Sequence, residues 1–420
     1  MRLAYSLLLY LAAPFLWLRA LWKAESRESV AERFGHAPAC AIGVEAWVHA
    51  VSVGEAMAAL PLIRALVSQF PGRILVTAST ETGSARLREL LGSAVCHAYA
   101  PYDLPHVVRR FLNRVRPARV VVMETELWPN LFRALRARSI PLLIANGRIS
   151  PRSFPRYRYL KSGVARMLAD CTVIAAQSEA DAERFLELGA DSARVNVMGN
   201  LKFDLELPAG ATGRAEHLRR RIGTGRPVWI AASTHEGEEI HALSAHRRVL
   251  AEFPQAVLVL VPRHPQRFDA VAKEIQAAGF EFTRRSGLGN WSDSSAPMPA
   301  PVLLGDSMGE LAAYYATADV AFVGGSLAPV GGHNVLEPAA LGLPVLFGPH
   351  MFNAEAARVL LLERQAALQL GDSGELATAV VTLFRDAGRR ERMGSAARRA
   401  VDENRGALRR FLELLRAVAP

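Results

Sequence analysis

The stretch from Gly305 to Pro349, GDSMGELAAYYATADVAFVGGSLAPVGGHNVLEPAALGLPVLFGP, constrains the fold of this chain more than any other. Three apolar runs, Leu311–Ala316, Val320–Val323 and Pro344–Phe347, alternate there with glycine-dense turns. Val320–Val323 is too short and too continuous for a surface helix and reads as a buried parallel strand. Gly324-Gly325 and Gly331-Gly332 follow it, and Val335–Leu341 reads as a helix. A strand, a glycine-rich loop and a helix together turn backbone N–H groups outward and add the partial positive charge of a helix start, so an anion fits there. Ser307-Met308-Gly309, ahead of a helix opening at Glu310, is a second turn of this kind. The alternative is that the glycines serve tight connections and nothing more.

The alternation extends through the chain. Candidate strands are Ala46–Ala50, Ile74–Thr77, Val120–Met123, Leu142–Ala145, Thr172–Ala176 and Val195–Met198, with helical patterns between them such as Ala56–Val67, Leu104–Val115 and Ala180–Leu188. The apolar rhythm lapses over Phe203–Arg226 and resumes with Val228–Ala232, Val257–Val261, Val302–Leu304, Val320–Val323 and Pro344–Phe347. This predicts an α/β protein of two doubly wound, Rossmann-like domains with a cleft between them. A chain of 420 residues is in any case too long for one compact core. The expected division is a helix over 1–23, a first domain over 33–202, a linker over 203–226 and a second domain over 227–420, whose last helix is free to pack back on the first. Ligands in such sheets sit beyond the carboxyl ends of the strands.

The net charge of +10 and a pI near 10.0 imply an anionic partner: nucleic acid, a membrane surface or a phosphorylated substrate. Arginine carries the charge, for the only lysines are Lys23, Lys161, Lys202 and Lys273. No RNA-binding signature or zinc-finger spacing is present, which makes nucleic acid the weakest of the three. Cys40, Cys96 and Cys171 are few and unpatterned, which predicts a reducing compartment and no disulfide or cysteine-held metal. Leu3–Leu18 is uncharged and apolar, with Arg2 before it and Arg19 and Lys23 after. It is slightly short for a full span, and no small-x-small cleavage site follows it. It reads as a membrane anchor or in-plane helix that keeps the body on the cytoplasmic face, or else as a core helix interrupted by Pro14.

Several strand ends carry groups capable of chemistry. Glu55, in Trp47-Val48-His49-Ala50-Val51-Ser52-Val53-Gly54-Glu55, falls in the first turn of a helix after a strand. A carboxylate there can be a general base or only a helix cap. Glu124 and Glu126, at alternate positions in Met123-Glu124-Thr125-Glu126-Leu127-Trp128-Pro129-Asn130, either shape a cleft or cap the helix that Pro129 opens. From Leu127 to Ala169 nine cations (Arg133, Arg136, Arg138, Arg148, Arg152, Arg156, Arg158, Lys161 and Arg166) meet no acid, with Phe154, Tyr157 and Tyr159 among them. Such a face suits a phosphorylated or lipid-surface partner, or is simply solvated. Lys202, in Asn200-Leu201-Lys202-Phe203-Asp204, either neutralises an anion or lies on the surface. Ser233-Thr234-His235-Glu236-Gly237-Glu238-Glu239 and Pro262-Arg263-His264-Pro265 end two further strands, and an Arg beside a His suits a phosphate. There is no D-x-D pair and no His spacing for a metal, so no metal or other cofactor is expected.

Together these stretches resemble the 3-deoxy-D-manno-octulosonic acid (Kdo) transferases of lipopolysaccharide assembly. The matching motifs are WVHAVSVGE, METELWPN, GNLKFD, ASTHEGEE, VPRHPQR, DSMGEL and FVGGSLAPVGGHNVLEPA, in family order from about residue 33 to 360. The resemblance implies the GT-B glycosyltransferase fold and transfer of Kdo from CMP-Kdo to a lipid A precursor (lipid IVA), with inversion, at the cytoplasmic face of the inner membrane. It implies Glu55 as the base, Glu124 or Glu126 (the former favoured) with Lys202 as transition-state stabilisers, and an acceptor side at Ser52, Gly54, Arg148, Arg152 and Arg156. It places CMP at Ser233, Thr234, Pro262, Arg263, His264, Met308, Gly309, Glu310, Gly332, Asn334, Val335, Leu336 and Glu337. One departure is Asn146-Gly147-Arg148, where the family pattern is Asn-Ala-Arg; the polar groups are kept. Rival readings are a GT-B enzyme or epimerase using a UDP-sugar, and a non-catalytic protein that docks on anionic lipid.

Overall fold

The computed structural model describes residues 2–23, 27–205, 208, 210–289 and 297–418. The chain divides into two compact units, Met1–Asp204 with Asn404–Pro420, and Leu205–Glu403.

The first unit is built on a seven-stranded sheet: β1 (Ala46–His49), β2 (Ile74–Ala78), β3 (Cys96–Tyr99), β4 (Arg119–Met123), β5 (Leu142–Gly147), β6 (Val173–Ala176) and β7 (Val195–Val197). Every pairing is parallel, in the order β3-β2-β1-β4-β5-β6-β7. The strands are near-continuous apolar runs because helices bury both faces. Trp47, Phe111, Phe132 and Phe185 fill one face, and Leu62, Ile63 and Leu66 the other. The last helix, Ala407–Ala417, completes that second face with Ala407, Phe411 and Leu415. Asp204 holds its start, accepting from the Gly406 and Leu408 N–H groups at 2.7 and 2.6 Å. Strand order reverses between β1 and β4, which pair with His49 opposite Val122. Their carboxyl ends therefore flank the crevice where sheets of this kind take ligands.

The second unit repeats the plan with β8 (Val228–Thr234), β9 (Val257–Pro262), β10 (Phe282–Arg284), β11 (Val302–Leu304), β12 (Val320–Val323), β13 (Val345–Phe347) and β14 (Ala367–Gln369). The order is β10-β11-β9-β8-β12-β13-β14, all parallel, and it reverses between β8 and β12. Trp229, Tyr314, Tyr315, Phe322 and Phe347 are its largest buried side chains.

Four expectations are corrected. Strands β3, β10 and β14 went unread; all are sheet edges, short, and β10 is only partly buried, so none makes a continuous apolar run. The expected linker contains a helix, Ala211–Ile222, which buries Ala215, Leu218 and Ile222 in the second unit. Its period is masked by Arg219-Arg220-Arg221, two of which are structural: Arg219 donates to the Thr317 carbonyl (2.9 Å) and Arg221 to that of Leu288 (2.9 Å). Cys40 and Cys96 are joined as a disulfide across 56 residues, a proximity made by the fold rather than by spacing, while Cys171 is free and buried.

The fourth concerns the N-terminal helix, Arg2–Lys23, which runs on through Pro14. Among the described residues no helix is long and apolar enough to cross a membrane. It is not a core helix either, for Leu3, Leu11 and Trp22 are 80%, 72% and 91% exposed. It docks on the first unit through polar contacts. Ser6 Oγ donates to Asn130 Oδ1 (3.0 Å), Tyr5 hydrogen-bonds Asp103, and Tyr10 Oη meets His106 Nδ1 at 2.9 Å.

Candidate active site

The first unit gathers three carboxylates at its β1/β4 reversal. Ser52 caps the helix Val53–Gln69, accepting from the Glu55 N–H and donating to Glu55 Oε1 at 3.2 Å. Glu55 Oε2 accepts from the Val51 N–H at 2.8 Å. Glu55 thus exchanges hydrogen bonds with the N-cap residue and reaches back to the residue before it, and the cap reading of Glu55 is to that extent true. Its environment goes further. Burial, followed by the charges of Glu124 and Glu126, pushes the Glu55 carboxyl up to about 7 against the two hydrogen bonds. Gly54 beside it is exposed.

Glu124 leaves β4 in the left-handed region (φ 56°), donating its N–H to the Ala145 carbonyl at 2.8 Å. A non-glycine residue held there is strained, and such strain concentrates where side chains are aimed. Its Oε1 lies 3.9 Å from Lys202 Nζ. Glu126 accepts from Trp128 Nε1 at 3.1 Å, and burial raises its carboxyl too. Behind them His49 is fully buried against the Trp128 ring, with Nδ1 on Thr77 Oγ1 at 2.9 Å and Nε2 without a partner among the described residues. Burial drives it down to about 4, so it is neutral. Arg148 enters through its backbone, which exchanges hydrogen bonds with the Thr125 hydroxyl between the two glutamates.

The run of cations is not one acid-free face. Acids from outside the window reach into it: Arg136 pairs with Asp170 (3.5 Å) and Arg158 with Glu187 (3.8 Å), while Arg138 donates to Asn113 Oδ1 (3.0 Å). Arg148, Arg152 and Arg156 are exposed and make no ion pair among the described residues. The helix of Arg156, Phe154–Tyr159, lies near the carboxylates, for Glu126 is among the causes that raise the Tyr157 hydroxyl.

In the second unit the glycine-rich loop after β12 does form an anion nest, but the anion is the protein's own. Glu238, buried to 1% exposure, accepts from the N–H groups of Gly325 (2.6 Å), Ser326 (3.0 Å), Leu327 (2.8 Å) and Ala328 (3.2 Å), and from His235 N–H (2.9 Å). The expectation of a free anion cradle there is overturned. The following helix is also short, Leu336–Ala340, and Asn334 caps it through the Leu336 N–H (3.0 Å) while donating to Glu337 Oε1 (3.0 Å). Val335 and Leu336 are buried, and Gly332 is tied to the Gly325 carbonyl at 2.6 Å.

What remains available is cationic and imidazole-rich. Ser233 sits at φ 57°, and the Thr234 hydroxyl is buried on Glu239 Oε1 (2.9 Å) beside Arg267, so it faces the interior. After Pro262, Arg263 and His264 are exposed. The His235 ring stacks on His333 with Nε2···Nε2 at 2.8 Å and meets His264 edge-on. One ring of the stacked pair must donate and the other accept, so the two cannot both be cations. Burial and then Arg263 lower His333 to about 4. Arg263 also acts against the burial that raises Glu337, which puts Arg263, His333 and Glu337 in one neighbourhood. Met308, Gly309 and Glu310 form a separate turn, with Met308 exposed and Glu310 bound to Arg285 (3.1 Å), Ser307 (2.5 Å) and Tyr314 (3.1 Å). Sequence reasoning names Glu238, His333 and Asn146 within motifs but gives none of them a role. The loop N–H groups on Glu238 begin 87 residues away and the ring partner of His333 lies 98 residues away, and no local pattern announces either.

A family model described as 3-Deoxy-D-manno-octulosonic-acid transferase (kdotransferase) matches residues 28–205. The 3-deoxy-D-manno-octulosonic acid transferase of Haemophilus influenzae is 41% identical over 423 residues, covering 99% of this chain and 98% of that protein. That of Bordetella pertussis is 40% identical over 433 residues, covering 98% of each. Among solved structures, UDP-GlcNAc 2-epimerase from Neisseria meningitidis bound to UDP-GlcNAc aligns with a TM-score of 0.57 at 14% identity, covering 88% of this chain and 99% of that one. That likeness is one of fold alone.

Proposed function

The chain belongs to the 3-deoxy-D-manno-octulosonic acid transferase family and is a glycosyltransferase of lipopolysaccharide core biosynthesis, and we propose that it moves Kdo from CMP-Kdo to the hydroxyl of a lipid A precursor with inversion, using Glu55 as the base. The observation that carries this reading is the Glu55 carboxyl itself: it is partly buried at a topological reversal, pushed up to about 7, with two further carboxylates beside it. A general base is most effective with a pKa near the working pH. In the reaction the acceptor oxygen attacks the anomeric carbon of Kdo, Glu55 takes the hydroxyl proton, and the bond to phosphate breaks so that CMP leaves with the electron pair. Glu124 and Lys202 hold charge beside the base. In the second unit Arg263, with His264, faces the leaving phosphate, and Asn334 and Glu337 the nucleoside. The donor carries one phosphate, so the reading includes no metal.

The acceptor is a phosphorylated, acylated disaccharide, and Arg148, Arg152 and Arg156 supply cations for its phosphates. The helix Arg2–Lys23 turns Leu3, Leu7, Leu11, Phe15 and Trp22 to the outside while its Tyr5, Ser6 and Tyr10 hold the first unit. That division suits a helix lying in the plane of the inner membrane's cytoplasmic face. The test is to incubate the protein with CMP-Kdo and a tetraacylated lipid A precursor and to weigh the product. Turnover with UDP-sugars in place of CMP-Kdo, or vesicle binding with no turnover, overturns the reading.

A further inference from the structure

The first unit carries a hydrogen-bonded chain that the reaction just described does not use. Asn146 is fully buried and held at φ 58° at the end of β5, where the β5–β6 pairing slips between Ile144 and Gly147. Irregularities of this kind re-aim a side chain. Asn146 Oδ1 accepts from the Leu201 N–H at 3.0 Å. Its carbonyl accepts from Gln177 Nε2 at 3.0 Å, and Gln177 Oε1 accepts from Asn200 Nδ2 at 3.2 Å. Asn200 Oδ1 in turn accepts from the Lys202 N–H at 3.0 Å. On the other side, the peptide that precedes Asn146 holds Glu124, whose N–H donates to the Ala145 carbonyl at 2.8 Å. One dipeptide, Ala145-Asn146, thus fixes the backbones of both Glu124 and the Leu201–Lys202 turn.

Backbone conformation alone does not call for asparagine here. Glycine adopts the left-handed conformation without strain. The asparagine also leaves its buried Nδ2 with no partner among the described residues, a desolvated donor that weakens the fold. The feature the side chain does supply is the anchor for Leu201. Lys202 needs such an anchor, because its flexible stem reaches Glu124 only to 3.9 Å and its side chain is 38% exposed. With the backbone pinned at two successive N–H groups, the range of the ammonium is set by the side chain alone.

We propose that Asn146, braced by Gln177, is a positioning residue for the transfer reaction, holding Lys202 opposite Glu124. The proposal rests on the reading of Lys202 and Glu124 as charged groups of the reaction centre. It is tested with Asn146→Gly, which keeps the backbone conformation and deletes only the side chain, together with Gln177→Leu, Lys202→Ala and the double variant N146G/K202A. Each is assayed for kcat and both KM values with CMP-Kdo and the lipid A precursor, and for its unfolding midpoint.

N146G should lower kcat about tenfold or more, within the roughly hundredfold that a misplacement of about 1 Å can cost, with both KM values little changed. Q177L should move kcat in the same direction by less. K202A should lower kcat at least as far as N146G. The double variant should be no slower than K202A, because Asn146 has nothing left to position. Multiplicative effects in the double variant, or wild-type kcat in N146G, overturn the proposal. If N146G does not fold, Q177L decides, and wild-type kcat there overturns it equally. Wild-type kcat in K202A refutes the underlying reading of the centre, a result distinct from the other failures.

Discussion

Replacing Glu55 by Gln separates catalysis from stability, because the two should move in opposite directions. A carboxyl held near 7 instead of 4.5 is disfavoured in its charged form by about 3 kcal/mol at 1.36 kcal/mol per pH unit. The sign follows from proton counting. Between pH 4.5 and 7 the folded protein binds more protons at this site than the unfolded chain, so the wild type loses stability as pH rises through that window. Gln does not titrate. The unfolding midpoint of E55Q should therefore rise relative to wild type from pH 4.5 to 7.5, offset by weaker bonds to the Val51 N–H and the Ser52 hydroxyl. Turnover should fall about 10²–10⁴-fold, the usual contribution of a positioned base. In the wild type, kcat/KM should drop on the acid side with a midpoint near 7, so that about a tenth of the enzyme is competent at pH 6. The assays are a pH–rate profile with saturating CMP-Kdo and thermal unfolding at matched pH. E55Q within a few-fold of wild-type turnover, or a stability difference flat across pH 4.5–7.5, would refute the reasoning.

Glu124→Gln removes a negative charge that helps hold Glu55 up, so the acid limb of the residual activity should move to lower pH; a limb that stays or rises contradicts the coupling. Glu238→Gln puts an amide NH₂ against N–H donors that now face a carboxylate oxygen, and should cost about 3 kcal/mol or more in the second unit, seen as a lower unfolding midpoint and weaker CMP binding by calorimetry. Deleting residues 1–23 should shift the protein from the membrane to the soluble fraction and slightly lower its stability, since Asn130 and Asp103 lose Ser6 and Tyr5; a membrane-bound deletion refutes the in-plane helix. R152Q/R156Q should raise KM for the lipid acceptor several-fold while CMP-Kdo KM stays put, with a weaker salt dependence than wild type; unchanged acceptor KM and salt slope make these arginines plain surface.

The central strands could be read from the sequence because their apolar runs are buried on both faces. β1, β4, β5, β8, β9 and β12 were all placed to within a few residues. Edge strands could not, because Phe282-Thr283-Arg284 carries no burial pattern to read. Glu55, Glu124 and Lys202 were findable as charged residues just past strand ends. The state of Glu55 was not, because its raised carboxyl needs burial and the approach of Glu124 and Glu126, which lie about seventy positions on in the chain. The same limit produced the error at the glycine-rich loop. Gly324-Gly325-Ser326 announces a nest correctly, but its occupant, Glu238, comes from the other side of the strand-order reversal. The basic run failed in the opposite way, since a window from Leu127 to Ala169 cannot see Asp170 or Glu187 close on Arg136 and Arg158.

The filled nest gives the second unit a different electrostatic character from the first. At the reversal in the first unit three carboxylates meet one lysine, an arrangement that keeps the Glu55 carboxyl raised; more cations there would lower it toward its ordinary value and make it a weaker proton acceptor in the proposed reaction. At the reversal in the second unit the carboxylate is consumed internally: Glu238 neutralises the N–H groups of its loop and locks the His235 backbone to Gly325. What then faces outward is Arg263 with His264, close to the His235–His333 pair. His333 is held neutral by burial and by Arg263, so it adds no positive charge beside the guanidinium. In the proposed reaction the leaving group, with its single phosphate, gains negative charge as its bond to the sugar breaks, and a guanidinium is suited to meet that charge. On the proposed reading, the acid-side loss of activity with a midpoint near 7 should report Glu55 and not His333.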